Sequence, residues 1–135
     1  MHIEEKYVGQ YIADCRMAQE IIHDQMVELD HEEVWVVFLT TNNKVLSAEL
    51  ISKGTLTHTA VDCRTVLRAA LLHNAGAIII AHNHPSGVPK PGLADVTFTG
   101  KLKSACSLMD IKLLDHIIIG KDSFFSFSQD QTLKY

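Results

Sequence analysis

Two histidines one residue apart, His82-Asn83-His84, follow directly on the apolar run at 77–81. Side chains alternate along a strand, so both imidazoles point to one side if the extended chain persists through His84. Two imidazoles at a strand end can bind zinc through ring nitrogens at about 2.0–2.1 Å. Pro85-Ser86-Gly87 then turns the chain away and leaves such a site open. Asp95 suggests a third ligand, because it lies three residues before Phe98 and seven before Leu102 and continues the inward stripe of a helix. An inward ionised carboxylate is expensive unless it is paired or coordinates a metal. It also sits in the helix's first turn, where the dipole favours an anion. Two imidazoles and one carboxylate leave a fourth position for water, the form of a catalytic zinc site. A general base is needed near that water, and Glu32 and Glu33 stand where the apolar run at 34–39 begins. Plainer readings stand beside each of these. The histidines can be two polar residues, Asp95 a helix-start carboxylate, and Glu32-Glu33 (after Asp30-His31) a solvated loop.

The elements that must position these groups follow from periodicity. Residues 13–29 read as an amphipathic helix, with Ala18, Ile22, Met26 and Leu29 in step and Asp14 as its cap. VWVVFL at 34–39 is apolar on both faces, as a central strand should be. Asn42-Asn43 turns into a second strand at 45–51. Gly54-Thr55 begins a loop, and Asp62 caps a helix running to about Ala75, with Val66, Ala69, Ala70 and His73 on one stripe. Residues 77–81 (AIIIA) form a short buried strand, and 82–92 (HNHPSGVPKPG) hold all three prolines. A third helix carries Phe98, Leu102, Ala105 and Met109. Strands at 111–119 and 123–127 close the chain around the turn Gly120-Lys121-Asp122. This order predicts an α/β (α+β) fold, a mixed β-sheet flanked by helices. The expectation is one domain over 1–135, with a helical region at 1–31 and a motif-bearing core at 32–128.

Composition sets bounds. At 135 residues and 47% hydrophobic, the chain suits one domain that buries roughly two-thirds of its unfolded surface. The net charge is −4 and no basic block stands out, so direct nucleic-acid binding is not expected. No apolar run is long enough to cross a membrane, and the N-terminus has no signal-peptide pattern. Cys15, Cys63 and Cys106 are odd in number and lack a CxxC pair, which excludes a disulfide framework or a Cys₄ zinc site and points to a cytoplasmic location.

HNHPSG with an Asp eleven residues past its second His resembles the JAMM (MPN+) motif of zinc peptidases. More closely, 32–127 resembles the RadC family within that superfamily. The resemblance lies in Glu32 before VWVVFL, Gly54-Thr55, Arg64, AIIIAHNHPSG, Asp95 with Thr99, LLDHIIIG and Ser126-Phe127. It implies a JAB/MPN-like fold with cytidine-deaminase-like layering. His82, His84 and Asp95 match the Zn2+ ligands, and Glu32 matches the general acid/base, with Glu33 the weaker candidate. The implied reaction is metal-assisted hydrolysis of an amide or isopeptide bond in a protein or peptide of unspecified identity. Two positions depart from the pattern: the Ser expected eight residues after His84 is Gly92, and Asp62-Cys63 replace the expected His-Pro before Arg64. In JAMM peptidases that Ser hydroxyl helps stabilise the tetrahedral intermediate. Longer RadC proteins carry an N-terminal helix-hairpin-helix region, so a short stand-alone form is expected here.

Other groups receive plainer assignments. Ser86 lies outside any GxSxG elbow and reads as a turn serine, although it stays a candidate donor to the transition state alongside Gly92. Arg64 either anchors an anionic substrate group or pairs with a carboxylate. Cys63 and Cys106 read as inert thiols. Asp115-His116 reads as a structural hydrogen-bonded pair rather than a fourth ligand. His2, His23, His31 and His58 read as surface residues. Three functions compete: a zinc-dependent peptidase-like hydrolase, a zinc-binding partner module with little or no turnover, and a repair-associated DNA-binding protein resting on the family name. A homodimer stays open.

Overall fold

A computed structural model describes residues 3, 5–54 and 62–135. His2, His58 and Thr55 lie outside the described residues. Three helices and six strands form a mixed α/β architecture: α1 (Cys15–Met26), β1 (Val34–Leu39), β2 (Val45–Ser52), α2 (Cys63–Leu72), β3 (Ala77–Asn83), α3 (Leu93–Leu108), β4 (Lys112–Ile119), β5 (Ser123–Ser126) and β6 (Gln131–Lys134). The strands form one sheet in the order β2-β1-β3-β4-β5-β6. Only β3 and β4 run parallel, and α3 is the crossover that such a pair requires.

β1 lies between β2 and β3, and all six of its residues are buried, which explains its unbroken apolar run. Its alternate side chains feed two cores. Trp35, Val37 and Leu39 pack with Ala18, Ile21, Ile22 and Met26 of α1. Val34, Val36 and Phe38 pack on the other face with Val66 and Ala70 of α2 and Leu102 and Cys106 of α3. His82 continues the stripe of Ile78 and Ile80 along β3, and therefore faces α3.

Caps fix the helix starts. Asp14 accepts from the Met17 N–H at 2.8 Å, and Asp62 accepts from the Thr65 N–H at 2.8 Å, both as the sequence predicts. Asn43 turns the chain between β1 and β2 at a φ of 70°, a conformation Asn tolerates better than most residues.

Several expectations need correction. α1 ends at Met26 rather than 29, with Leu29 packing on the core from the following loop. α2 ends at Leu72, and His73 is its C-cap, stacked on Phe38 at 4.0 Å. Cys106, not Met109, completes the buried stripe of α3; Met109 caps the helix and is 46% exposed. β6 and a 3₁₀ turn at Glu5–Tyr7 were not anticipated, both being too short to show a period. His23 is half-buried against Tyr135, with ring centroids 4.2 Å apart, whereas His31 is exposed as expected.

Candidate metal centre

β3 stays extended through His82 and Asn83, and the His84 N–H prolongs the pairing with β4 by donating to the Ile119 carbonyl at 3.0 Å. His82 and His84 therefore project to the same side. The chain then turns: the Gly87 N–H closes back on the His84 carbonyl at 2.9 Å, with Gly87 at a left-handed φ of +89°. A Cβ on Gly120 would lie 2.6 Å from the Gly87 carbonyl oxygen, so that glycine lets the β4–β5 turn approach the loop. Residues 84–92 are thereby held against the end of the sheet.

α3 brings the third group. Gly92 is its N-cap, and Asp95, one turn in, reaches back to accept the Gly92 N–H at 2.7 Å. The Asp95 carboxylate meets both rings: His82 Nε2 lies 3.1 Å from Oδ1 and His84 Nε2 lies 3.4 Å from Oδ2. The two Nε2 atoms are 3.2 Å apart. Bonds of about 2.0–2.1 Å at tetrahedral angles place ligand atoms about 3.3–3.4 Å from one another, so these separations match the edges of a zinc site. Among the described residues, these three are the one group of His, Cys, Asp or Glu side chains that could hold a metal ion.

Hydrogen bonds on the outer sides of the rings assign their protons. His84 Nδ1 lies 2.9 Å from the Val88 carbonyl, which only accepts, so Nδ1 donates and Nε2 keeps its lone pair. His82 Nδ1 lies 2.8 Å from Nε2 of His116, a buried ring on β4. Two ring nitrogens and a carboxylate oxygen thus converge on one point, an arrangement that favours a cation among them, either a proton or a metal ion. Electrostatics agree. Burial opposes ionisation of Asp95, but hydrogen bonds from His82, His84 and the Gly92 N–H outweigh it and hold the carboxyl far below its ordinary range. The His84 pKa is raised, chiefly by its hydrogen bond to Asp95, then by the Val88 carbonyl and the charges of Asp95 and Glu32. A proton shared there is the simplest cation for the site, and a divalent ion is the stronger one. Two nitrogens and one carboxylate oxygen with a side left open suit a transition metal of catalytic type.

The two candidate bases part company. Glu33 is 3% exposed; it accepts the Trp35 indole N–H at 3.1 Å and bonds His31 at 2.9 Å, on the α1 face of the sheet. Glu32 alternates to the α3 face, half-buried, near enough to His84 for its charge to be felt. Asn83 was passed over by the sequence reading. Its side chain accepts the Glu33 N–H at 2.7 Å and donates to the His31 carbonyl at 2.9 Å, so it grips the chain on both sides of Glu32. A polar residue between the two histidines was the available signal.

The remaining candidates fall outward. Ser86 is exposed, its hydroxyl accepting the Val88 N–H at 3.3 Å as a turn serine does. The Arg64 side chain is 90% exposed and lies 3.9 Å from Asp62, with no described contact to the histidines. The Cys106 thiol is pushed up to about 11 by burial, and burial also raises Cys63, which suits inert thiols. Asp115 and His116 form the expected hydrogen-bonded pair, through the His116 backbone N–H rather than its ring. The Asp115 carboxylate takes the His116 backbone N–H and, away from the ring, the hydroxyls of Ser126 and Ser128. The His116 ring goes to His82, a role the sequence did not reveal.

A family model described as a RadC-like JAB domain matches residues 12–133. Curated relatives are UPF0758 proteins. The one from Porphyromonas gingivalis is 40% identical over 123 residues, covering 90% of this chain and 54% of the relative. That from Leptothrix cholodnii is 46% identical over 105 residues (78% and 47%), and that from Flavobacterium johnsoniae 42% over 116 residues (86% and 51%). The chain spans about half the length of these relatives.

Proposed function

The chain belongs to the RadC-like JAB domain family, and from that premise we propose that it is a zinc-dependent hydrolase of peptide or isopeptide bonds. The observation that carries this reading is the convergence of His82 Nε2, His84 Nε2 and an Asp95 carboxylate oxygen within ligand-to-ligand distance of one another. His82, His84 and Asp95 would hold the ion. When bound, zinc supplies a lowered pKa for water and polarisation of the amide carbonyl. Glu32 takes the proton of the attacking water at its carboxylate and returns it to the leaving nitrogen. His84 donates its Nδ1–H to the Val88 carbonyl, so its ring is fixed in the orientation that ligation needs. Position 92 offers only a backbone N–H, and that group is already committed to Asp95.

Gly92 favours a second reading, a zinc-binding partner module with little turnover, because no hydroxyl stands at the position where the motif carries one. The reading carries no direct nucleic-acid contact, which the net charge of −4 does not favour. Three free thiols suit a reducing, cytoplasmic setting. Among the described residues no helix is long and apolar enough to cross a membrane.

Metal analysis of the purified chain, combined with a chelator-sensitive screen on peptide and isopeptide substrates, is the test. One zinc per chain, lost in His82→Ala/His84→Ala, with hydrolysis abolished by chelation, supports the hydrolase. Full zinc occupancy without hydrolysis favours the partner module, and full occupancy in the double variant overturns the ligand assignment.

A further inference from the structure

His82 Nδ1 meets His116 Nε2 at 2.8 Å, and His116 Nδ1 meets the Thr99 hydroxyl at 2.5 Å. That hydroxyl in turn lies 2.7 Å from the backbone carbonyl of Asp95, four residues back in α3. Each contact taken singly leaves the protons open, since either ring nitrogen of a neutral histidine can donate. The chain as a whole leaves one arrangement. A carbonyl carries no proton, so the Thr99 O–H must donate to Asp95. Its oxygen then accepts from His116 Nδ1–H, which leaves His116 Nε2 as an acceptor. His82 Nδ1 must therefore be the donor, and in the neutral ring the His82 proton is kept off Nε2.

We propose that Thr99 and His116 are positioning residues that hold His82 in the Nδ1–H tautomer, so that its Nε2 lone pair is delivered ready for a metal. The inference rests on the metal-site reading given above. The relay starts on α3, crosses β4 and ends on β3, and it closes a ring, because Asp95 Oδ1 lies 3.1 Å from His82 Nε2. Two ligands from different elements are thus tied together by residues that never touch the ion. His116 is fully buried and stacked on Phe127 at 4.6 Å, so it cannot turn away to find water. A histidine ligand whose outer nitrogen loses its partner costs metal affinity on the order of 10–100-fold.

The test reads protons and zinc rather than hydrolysis. Two-bond ¹⁵N–¹H spectra of the metal-free protein, at a pH well above histidine's ordinary range, report which nitrogen of His82 carries the proton. The expected result is Nδ1 in the wild type and in Thr99→Ser, which keeps the hydroxyl. In Thr99→Val the relay loses its fixed end, His116 is free to donate from Nε2, and the His82 proton moves to Nε2. Zinc affinity by chelator competition should fall 10–100-fold in Thr99→Val and in His116→Phe, and stay within about threefold of wild type in Thr99→Ser. Melting temperatures of the metal-free variants separate this effect from loss of fold. A wild-type His82 protonated on Nε2 overturns the proposal without any variant, as does unchanged zinc affinity in a folded Thr99→Val. Failure of the wild type to bind zinc overturns the metal reading instead, while the tautomer of His82 is still decided by the spectra.

Discussion

Glu32 and Glu33 adjoin in the chain, yet strand alternation sends them to opposite faces of the sheet. Glu33 is spent on Trp35 and His31 beneath α1, whereas Glu32 shares the α3 face with His82 and His84. Glu32→Gln is expected to keep zinc and lower turnover by about 10²–10⁴-fold, because it removes the proton acceptor and not a ligand. Glu33→Gln should keep turnover and cost stability, about 1 kcal/mol, by weakening the buried bond from Trp35 and the half-buried one to His31. Paired measurements of kcat, zinc content and denaturant midpoint decide between the neighbours; zinc loss in Glu32→Gln overturns the assignment. At position 92 the backbone is extended, with φ −88° and ψ 173°, so any residue fits. An added Cβ would meet only Asp95 Oδ2 at 3.7 Å, an ordinary contact. Gly92→Ser therefore keeps the fold and gains a few tenths of a kcal/mol as a better N-cap. Its hydroxyl restores a donor of the kind whose loss costs about 10²–10³ in turnover elsewhere, so turnover on one peptide substrate should rise. A folded, zinc-loaded Gly92→Ser without any gain would show that the position does not face the reacting carbonyl.

The elements hold the site through a few buried polar anchors. Asp115 is one: buried on β4, it accepts the His116 and Ser128 N–H groups and the Ser126 and Ser128 hydroxyls. With four donors, this carboxylate locks the end of β5 and its following turn onto β4. It also fixes the peptide that carries the His116 ring. Asp115→Ala strands those donors and is expected to cost about 2–3 kcal/mol in denaturant unfolding. Ser126→Ala removes one bond and should cost about 1 kcal/mol. Equal stability in the two variants would show that the donors find water and that the anchor is not a unit. α3 makes the parallel β3–β4 connection and supplies Asp95 and Thr99 from its first two turns, so one helix places both a ligand and the start of the relay.

At the scale of the molecule, the candidate metal centre rests on a sheet whose two faces each pack against the apolar side of helices, so the fold is expected to form without an ion. Zinc should add stability by mass action, about 2.7 kcal/mol at a hundredfold excess over Kd, which raises Tm by roughly 10 °C for a chain of this size. A chelator should return Tm to the metal-free value while far-UV circular dichroism at 25 °C stays unchanged; collapse of the dichroism would assign the ion a structural role. The sequence by itself determined the order of apolar runs along the chain, the capping residues Asp14 and Asp62, and the choice of His82, His84 and Asp95 as candidate ligands, which the fold groups together. These are legible because periods of two and 3.6, and the spacing of a motif, are local properties. It did not separate Glu32 from Glu33, since that choice depends on which face of the sheet α3 covers. It gave no sign of Asn83 gripping the chain around Glu32, nor of Thr99 meeting His116 across α3 and β4. It read Asp115-His116 as a hydrogen-bonded pair, which the bond from the His116 N–H to the Asp115 carboxylate bears out, but it did not reveal that the His116 ring turns to His82. The contacts it did not reveal join residues 17 to 52 positions apart, and only the packing of the elements on one another brings such groups to hydrogen-bonding distance.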